Sequence, residues 1–203
     1  YRPVVHCGAT EDKRKLKTDY RGEATCAAAN LIGGVQGCAY GCLGFGDCVV
    51  SCAYDAIHIE NGLARVDYEK CVGCAACARA CPRNIINMVP FKTDRMMVVA
   101  CSNKDPGKAV REVCEVGCIG CKACAKRSGI FDIDDNLAHI DYDQYDPGAM
   151  DEAQLALDKC PMKGIVMVGK PRDKDLQGVE DEDVPSLVKA DFKTTVDDTE
   201  WYG

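Results

Sequence analysis

The stretch "CVGCAACARACP", residues 71–82, sets Cys71, Cys74 and Cys77 at two-residue gaps, with Cys81 three residues on and Pro82 after it. Gaps this short curl the backbone around one polynuclear centre, so that three thiolates reach three irons of a [4Fe–4S] cubane. The fourth cysteine of such a run ligates a second cluster. Gly73, Ala75 and Ala76 are small enough to let amides approach the cluster sulfides, and Pro82 ends the loop. A structural zinc site pairs two CxxC arms across a longer spacer. Disulfide scaffolds scatter their cysteines to cross-link distant segments, whereas neighbours this close converge on a metal more easily than they pair. Spacing therefore favours iron–sulfur chemistry and a reducing compartment.

Two further runs repeat the theme. "GCLGFGDCVVSC" (41–52) aligns without a gap with "GCIGCKACAKRS" (117–128), 76 residues later. Cys42 matches Cys118 and Cys48 matches Cys124, but Phe45 stands opposite Cys121 and Ser128 opposite Cys52. Cys38, four residues before Cys42, is within reach of the place that Phe45 leaves unfilled. One cluster is then expected on Cys38, Cys42, Cys48 and Cys81, and a second on Cys52, Cys71, Cys74 and Cys77, the ligand exchange of a two-cluster ferredoxin. In the later run, Cys160-Pro161 is the counterpart of Cys81-Pro82, so Cys118, Cys121, Cys124 and Cys160 share a third. Ser128 is no defect: all four ligands of the other cluster are missing there together. Cys7, Cys26, Cys101 and Cys114 remain. They read either as buried thiols packing like small hydrophobes or as a fourth cubane drawn from both halves.

The elements that must hold these loops repeat too. "LARVDY" (63–68) matches "LAHIDY" (137–142), "VVHC" (4–7) echoes "VVAC" (98–101), and Cys38 matches Cys114. Apolar residues alternate around Asn61-Gly62 and around Asp135-Asn136, which predicts two tight hairpins over 56–66 and 129–140. Residues 146–160 read as a helix, with a proline near its start and acids in its first turn. The fold class expected is α+β: tandem ferredoxin-like repeats of the bacterial two-cluster type, built of short β-hairpins and helices, the second having lost one cluster. The divisions are a cysteine-containing segment (1–37), a two-cluster domain (38–95), a one-cluster domain (96–170) and an acidic tail (171–203).

Composition narrows the function. Aromatics are 6% of the chain, so a thin core needs metal staples. The net charge is −7, of which the tail carries −6. No Lys/Arg-rich run marks a nucleic-acid surface, and no apolar stretch approaches the ~18 residues that span a bilayer. A chain that starts at Tyr1 reads as a piece of a longer protein. His58 and His139 fall on hairpin strands as ordinary residues, while His6, beside Cys7, stands nearer the chemistry. "GGVQG" (33–37) lacks the strand-to-helix setting of a nucleotide loop. The tail reads as a solvated extension that docks a partner through Phe192 and Trp201.

Taken in order, "VVHCGAT", "CAAANLIGG", "CAYGCLGFGDCVVSCAYDAI", "VDYEKCVGCAACARACPRNII", "VVACSNKDPGK" and "CEVGCIGCKACAK" resemble the B subunit of the Rnf complex, a bacterial ion-translocating ferredoxin:NAD+ oxidoreductase, over residues 1–170. The resemblance implies an electron-transfer subunit of a translocase, with no substrate chemistry of its own. Reduced ferredoxin would be the donor and other subunits of the complex the acceptors, at the cytoplasmic face of the cell membrane. Two other readings stand beside it: a soluble polyferredoxin or iron–sulfur subunit of another oxidoreductase, and a structural zinc-binding interaction module.

Overall fold

The computed structural model describes residues 1–33, 35–148 and 151–170. Residues 1–170 form one compact unit. The expected tail, with Phe192 and Trp201, lies outside the described residues.

Eight short strands form four two-stranded antiparallel sheets, and one arrangement occurs twice. β2 (Ile57–Glu60) and β3 (Leu63–Val66) make a hairpin with Ile57 opposite Val66. Its turn needs two left-handed residues, and Asn61 and Gly62 take φ of 46° and 72°. Around it, β1 (Arg2–Val5) pairs with β4 (Ile86–Val89), Val5 opposite Ile86. In the second half, β6 (Phe131–Asp134) and β7 (Leu137–Ile140) make the inner hairpin on Asp135 and Asn136 at φ 45° and 60°. β5 (Arg95–Val99) and β8 (Ile165–Gly169) close around it, Val99 opposite Ile165.

Five helices fill the connections: α1 (Cys26–Ile32), α2 (Asp47–Val50), α3 (Ala76–Ala80), α4 (Gly107–Val113) and α5 (Asp151–Asp158). α5 lies inside the helix expected over 146–160 and carries Asp151 and Glu152 in its first turn, where the helix dipole favours acids. Among the described residues no helix is long and apolar enough to cross a membrane.

Each half has its own core. Ile57, Leu63, Ile85 and Ile86 pack with Cys42, Cys48 and Cys77 in the first. In the second, Met96, Met97, Phe131, Leu137 and Tyr145 pack with Ala153 and Ala156 of α5. Val4, Val89 and Val98 join the two across β1, β4 and β5. A second seam is polar: the Lys15 amide donates to the Val113 carbonyl at 3.0 Å and the Glu115 amide to the Lys13 carbonyl at 3.0 Å, which fixes Cys114 against the N-terminal segment.

Candidate metal centres

The cysteine loop has one backbone shape in three copies. Cys42–Cys48, Cys71–Cys77 and Cys118–Cys124 each turn left-handed twice, at Gly44 and Gly46, at Gly73 and Ala75, and at Gly120 and Lys122. The first of each pair must be glycine for a second reason: a Cβ on Gly44 would stand 2.4 Å from the Gly62 carbonyl oxygen, and one on Gly120 2.7 Å from that of Asn136. The inner hairpin turns thus press on the first and third loops, and the Tyr1 carbonyl, 2.5 Å from a Cβ on Gly73, presses on the second. The Cys-Pro turns share a shape as well, with Asn84 and Lys163 left-handed at φ 52° and 50° and their amides bonded to the Cys81 and Cys160 carbonyls at 3.1 Å.

The sixteen thiols surround four cavities, four to each. Cavity A is lined by Cys52, Cys71, Cys74 and Cys77. Cavity B is lined by Cys26, Cys42, Cys48 and Cys81. Cavity C takes Cys7, Cys38, Cys101 and Cys114, and cavity D Cys118, Cys121, Cys124 and Cys160. Their volumes are close to one another: 320, 380, 410 and 400 Å³ from A to D. The groupings expected for A and D are brought together as the spacing suggests.

The structure groups the other two sets differently from the expectation. Cys38 does not stand with Cys42, Cys48 and Cys81; Cys26 does, and Cys38 joins Cys7, Cys101 and Cys114 instead. The cause is a non-local contact. The Asp47 carboxylate accepts from the Cys26 amide at 2.7 Å and the Ala27 amide at 2.9 Å, pinning the start of α1 to the loop that lacks a middle cysteine. Thr25 completes the cap by accepting from the Ala28 amide at 3.2 Å. Phe45 itself packs against Tyr20 in a tilted pair with ring centroids 5.2 Å apart. Cys38 is held the other way. Its carbonyl accepts from Arg83 Nη1 at 3.0 Å and Gln36 Nε2 at 3.1 Å, and its sulfur accepts from Asn103 Nδ2 at 3.4 Å.

Cavity C is symmetric in the repeat. The Cys42 amide donates to Cys7 Sγ at 3.4 Å, and the Cys118 amide is bonded in the same way to Cys101. Asn103 N also donates to Cys101 Sγ at 3.4 Å, and its counterpart Ala9 serves Cys7. His6 stands at this cavity's wall with Nδ1 2.8 Å from the Val99 carbonyl. Burial holds its pKa below the usual imidazole range. His58 lies 3.7 Å from Asp55, and His139 stands opposite Asp132 in the second hairpin.

The donor set suits a large, thiophilic guest. Burial pushes the Cys101 thiol up to about 12, and burial with the neighbouring Cys42, Cys26, Cys81 and Cys77 pushes Cys48 up to about 12. Thiols so placed ionise only against a cationic centre. Two half-buried guanidiniums lie alongside, Arg14 near Cys7 and Cys42 and Arg83 near Cys38, Cys42 and Cys7, where they offset thiolate charge. Each set of four surrounds a space rather than a point: among the described residues no three Cys, His, Asp or Glu side chains are drawn together closely enough to hold a single metal ion. A structural zinc needs its ligands within about 2.3 Å of one ion; a cubane spreads them over four corners.

Comparison with known proteins agrees on the class. A family model described as a 4Fe-4S binding domain matches residues 64–87, which include Cys71, Cys74, Cys77 and Cys81. That stretch therefore matches a [4Fe–4S]-binding domain. The chain has narrower relatives. It is 41% identical over 166 residues to the B subunit of the Na(+)-translocating ferredoxin:NAD(+) oxidoreductase complex of Acetobacterium woodii, covering 80% of this chain and 48% of that one. The B subunit of the proton-translocating ferredoxin:NAD(+) oxidoreductase complex of Clostridium ljungdahlii is 39% identical over 177 residues, covering 85% and 61%. The B subunit of the ion-translocating oxidoreductase complex of Methanosarcina acetivorans is 36% identical over 168 residues, covering 80% and 61%. Over this stretch the chain is a homologue of the B subunits of Rnf-type complexes, and the resemblance carried by its cysteine runs is borne out. It spans about half to three-fifths of the length of these relatives.

Proposed function

We propose that the chain holds four [4Fe–4S] clusters and relays electrons from reduced ferredoxin into a membrane-bound, ion-translocating oxidoreductase of the Rnf type. The observation that carries this is the division of sixteen cysteines into four cavities of four. The proposed ligands are Cys52, Cys71, Cys74 and Cys77 in A, Cys26, Cys42, Cys48 and Cys81 in B, Cys7, Cys38, Cys101 and Cys114 in C, and Cys118, Cys121, Cys124 and Cys160 in D. A cubane bound there supplies a one-electron centre that changes oxidation state with little rearrangement. The chain's own part is to hold the thiolates, to aim amides at their sulfurs and to keep water away from most of them.

The same reading makes the chain a duplicated two-cluster ferredoxin. In its second half α5 replaces the loop that would match 71–81, and Ala153 and Ala156 pack into the core there. Buried Ser128 keeps the position of Cys52. The subunit would work at the cytoplasmic face of the membrane, with other subunits taking the electrons onward. Iron and acid-labile sulfide per chain, measured on anaerobically purified protein beside a zinc assay, test the reading. About 16 iron atoms are expected, and about 12 would mean that cavity C holds idle thiols. Zinc without sulfide would end the electron-transfer reading.

A further inference from the structure

The four cavities follow one another in a single order. A and B share the short helices α2 and α3: Cys48 and Cys77 lie in them, and Cys52 and Cys81 follow just past their ends. B meets C where the Cys42 amide reaches Cys7, and C meets D where the Cys118 amide reaches Cys101. Only two of the sixteen thiols are exposed, Cys74 in A and Cys121 in D, so the ends of the row are the places open to partners.

The two ends differ in charge. Around D, exposed Lys122, Lys126, Arg127, Lys159 and Lys163 all lie within three residues of a cavity cysteine. The Lys126 amide bonds to the Lys122 carbonyl at 3.1 Å and the Arg127 amide to that of Cys124 at 2.9 Å, so these side chains rise from one turn. None of the five pairs with a carboxylate among the described residues. The acid at the adjacent hairpin turn, Asp135, is taken by Lys104 at 3.1 Å. In the first half the equivalent positions are Gly46, Val50, Ser51, Ala80 and Asn84, all uncharged. Around A, Lys70 is paired with Asp55 at 3.1 Å, the exposed Arg79 is turned onto the Cys74 carbonyl at 3.3 Å, and Val72 and Tyr54 are exposed and uncharged, so A shows one unpaired cation where D shows five.

Two of these lysines sit where a lysine is not wanted. Lys122 and Lys163 have φ of 60° and 50°, and their counterparts are Gly46 and Asn84, the residue types that this backbone favours. Beside A, Ala75 and Asp55 are left-handed too, at φ 60° and 49°; what sets D apart is that its two strained positions both carry an unpaired cation.

We propose that this rim is the docking surface for a small electron-carrier protein whose redox centre is ringed by carboxylates, and that such a carrier delivers electrons at D rather than at A. The proposal rests on the electron-transfer reading given under Proposed function. At contact the carrier loses one electron and the chain gains it; no bond forms and no proton moves. Opposed charge would speed the encounter and orient it, and salt would weaken both effects.

The test replaces each strained lysine by its counterpart, Lys122→Gly with Lys163→Asn, and uses a small acidic two-cluster ferredoxin as the probe. Stopped-flow reduction of the chain by the reduced probe should slow about tenfold at low ionic strength, with a shallower salt dependence. The Kd for the oxidised probe, from calorimetry, should rise by a similar factor. The melting midpoint should hold or rise, because strain has been removed; loss of docking without loss of stability separates a docking role from a structural one. Arg79→Ala, near A, should leave rate and Kd unchanged. An unaltered rate and Kd in the double variant, or a loss in Arg79→Ala, overturns the proposal. Titanium(III) citrate separates this failure from that of the underlying reading. A chain with its full iron and sulfide that titanium reduces, but whose ferredoxin kinetics ignore the rim, loses only the docking surface; a chain without iron loses the electron-transfer reading.

Discussion

Replacing Asp47 by alanine should release Cys26 from cavity B and leave the other three cavities intact. α1 has seven residues, too few to persist alone in water. Its burial gives little help: Cys26 and Ala29 are covered, but Leu31 and Ile32 are 89% and 64% exposed. The helix is therefore held mainly from its first turn. Thr25 contributes about 1 kcal/mol there. The two bonds from the Cys26 and Ala27 amides to the half-buried Asp47 carboxylate contribute roughly 2–3 kcal/mol together, allowing for partial exposure. Asp47→Ala thus removes more than half of what fixes the helix start, enough to let Cys26 leave the corner it lines. The assay is iron analysis with EPR on the anaerobic protein. About one iron per chain should be lost, with a three-iron signal from a cubane short of one ligand, while signals from the other centres persist. Cys26→Ser should give the same spectrum, and Asp47→Asn, still able to cap, a milder one. Full iron and unchanged spectra in both Asp47→Ala and Cys26→Ser would refute the reasoning and return Cys38 to consideration as the fourth ligand in B.

Two further outcomes can be checked on the same material. Cys160→Ala should remove the centre in D, lowering iron by about four atoms per chain, whereas Ser128→Ala should leave the iron count unchanged. Asn103→Leu deletes the Nδ2–H donor to Cys38 Sγ while keeping the backbone donor to Cys101. Hydrogen bonds to sulfur stabilise the more negative, reduced state, so an anaerobic EPR-monitored titration should find one centre shifted to lower potential and the others unmoved.

Local features were legible in the sequence because local rules decide them. Asn61-Gly62 and Asp135-Asn136 demand left-handed turns, and both hairpins occur with those residues at the tip. Cys71, Cys74 and Cys77 around A and Cys118, Cys121 and Cys124 around D are set by two-residue gaps, and Cys160 joins D through a Cys-Pro turn. The nesting of β1–β4 and β5–β8 around the hairpins was not visible. "RPVV" and "RMMVV" show no clean alternation, because the first strand buries its middle residues and the second buries nearly all of its length. Cys26 was missed for a related reason. A four-residue gap put Cys38 within reach of the vacant corner, and nothing near Cys26 announces a carboxylate 21 residues away that would cap its helix.

The repeat nevertheless held the answer for cavity C. On the proposed duplication, a site shared by the two halves is built from equivalent residues, since whatever one half directs at the junction the other directs as well. Cys7 and Cys101 are equivalent, and so are Cys38 and Cys114; these four line C, with the equivalent Cys42 and Cys118 amides turned onto Cys7 and Cys101. Cys26 has no counterpart, so symmetry excludes it from C. Cavity B is the counterpart of D, but Phe45 stands opposite Cys121 there and one thiol must come from outside the repeat. An unpaired cysteine and an unfilled corner belong to each other by this argument. It relies on pairing across the proposed duplication rather than on distance along the chain, which is why it points to Cys26 where sequence distance points to Cys38.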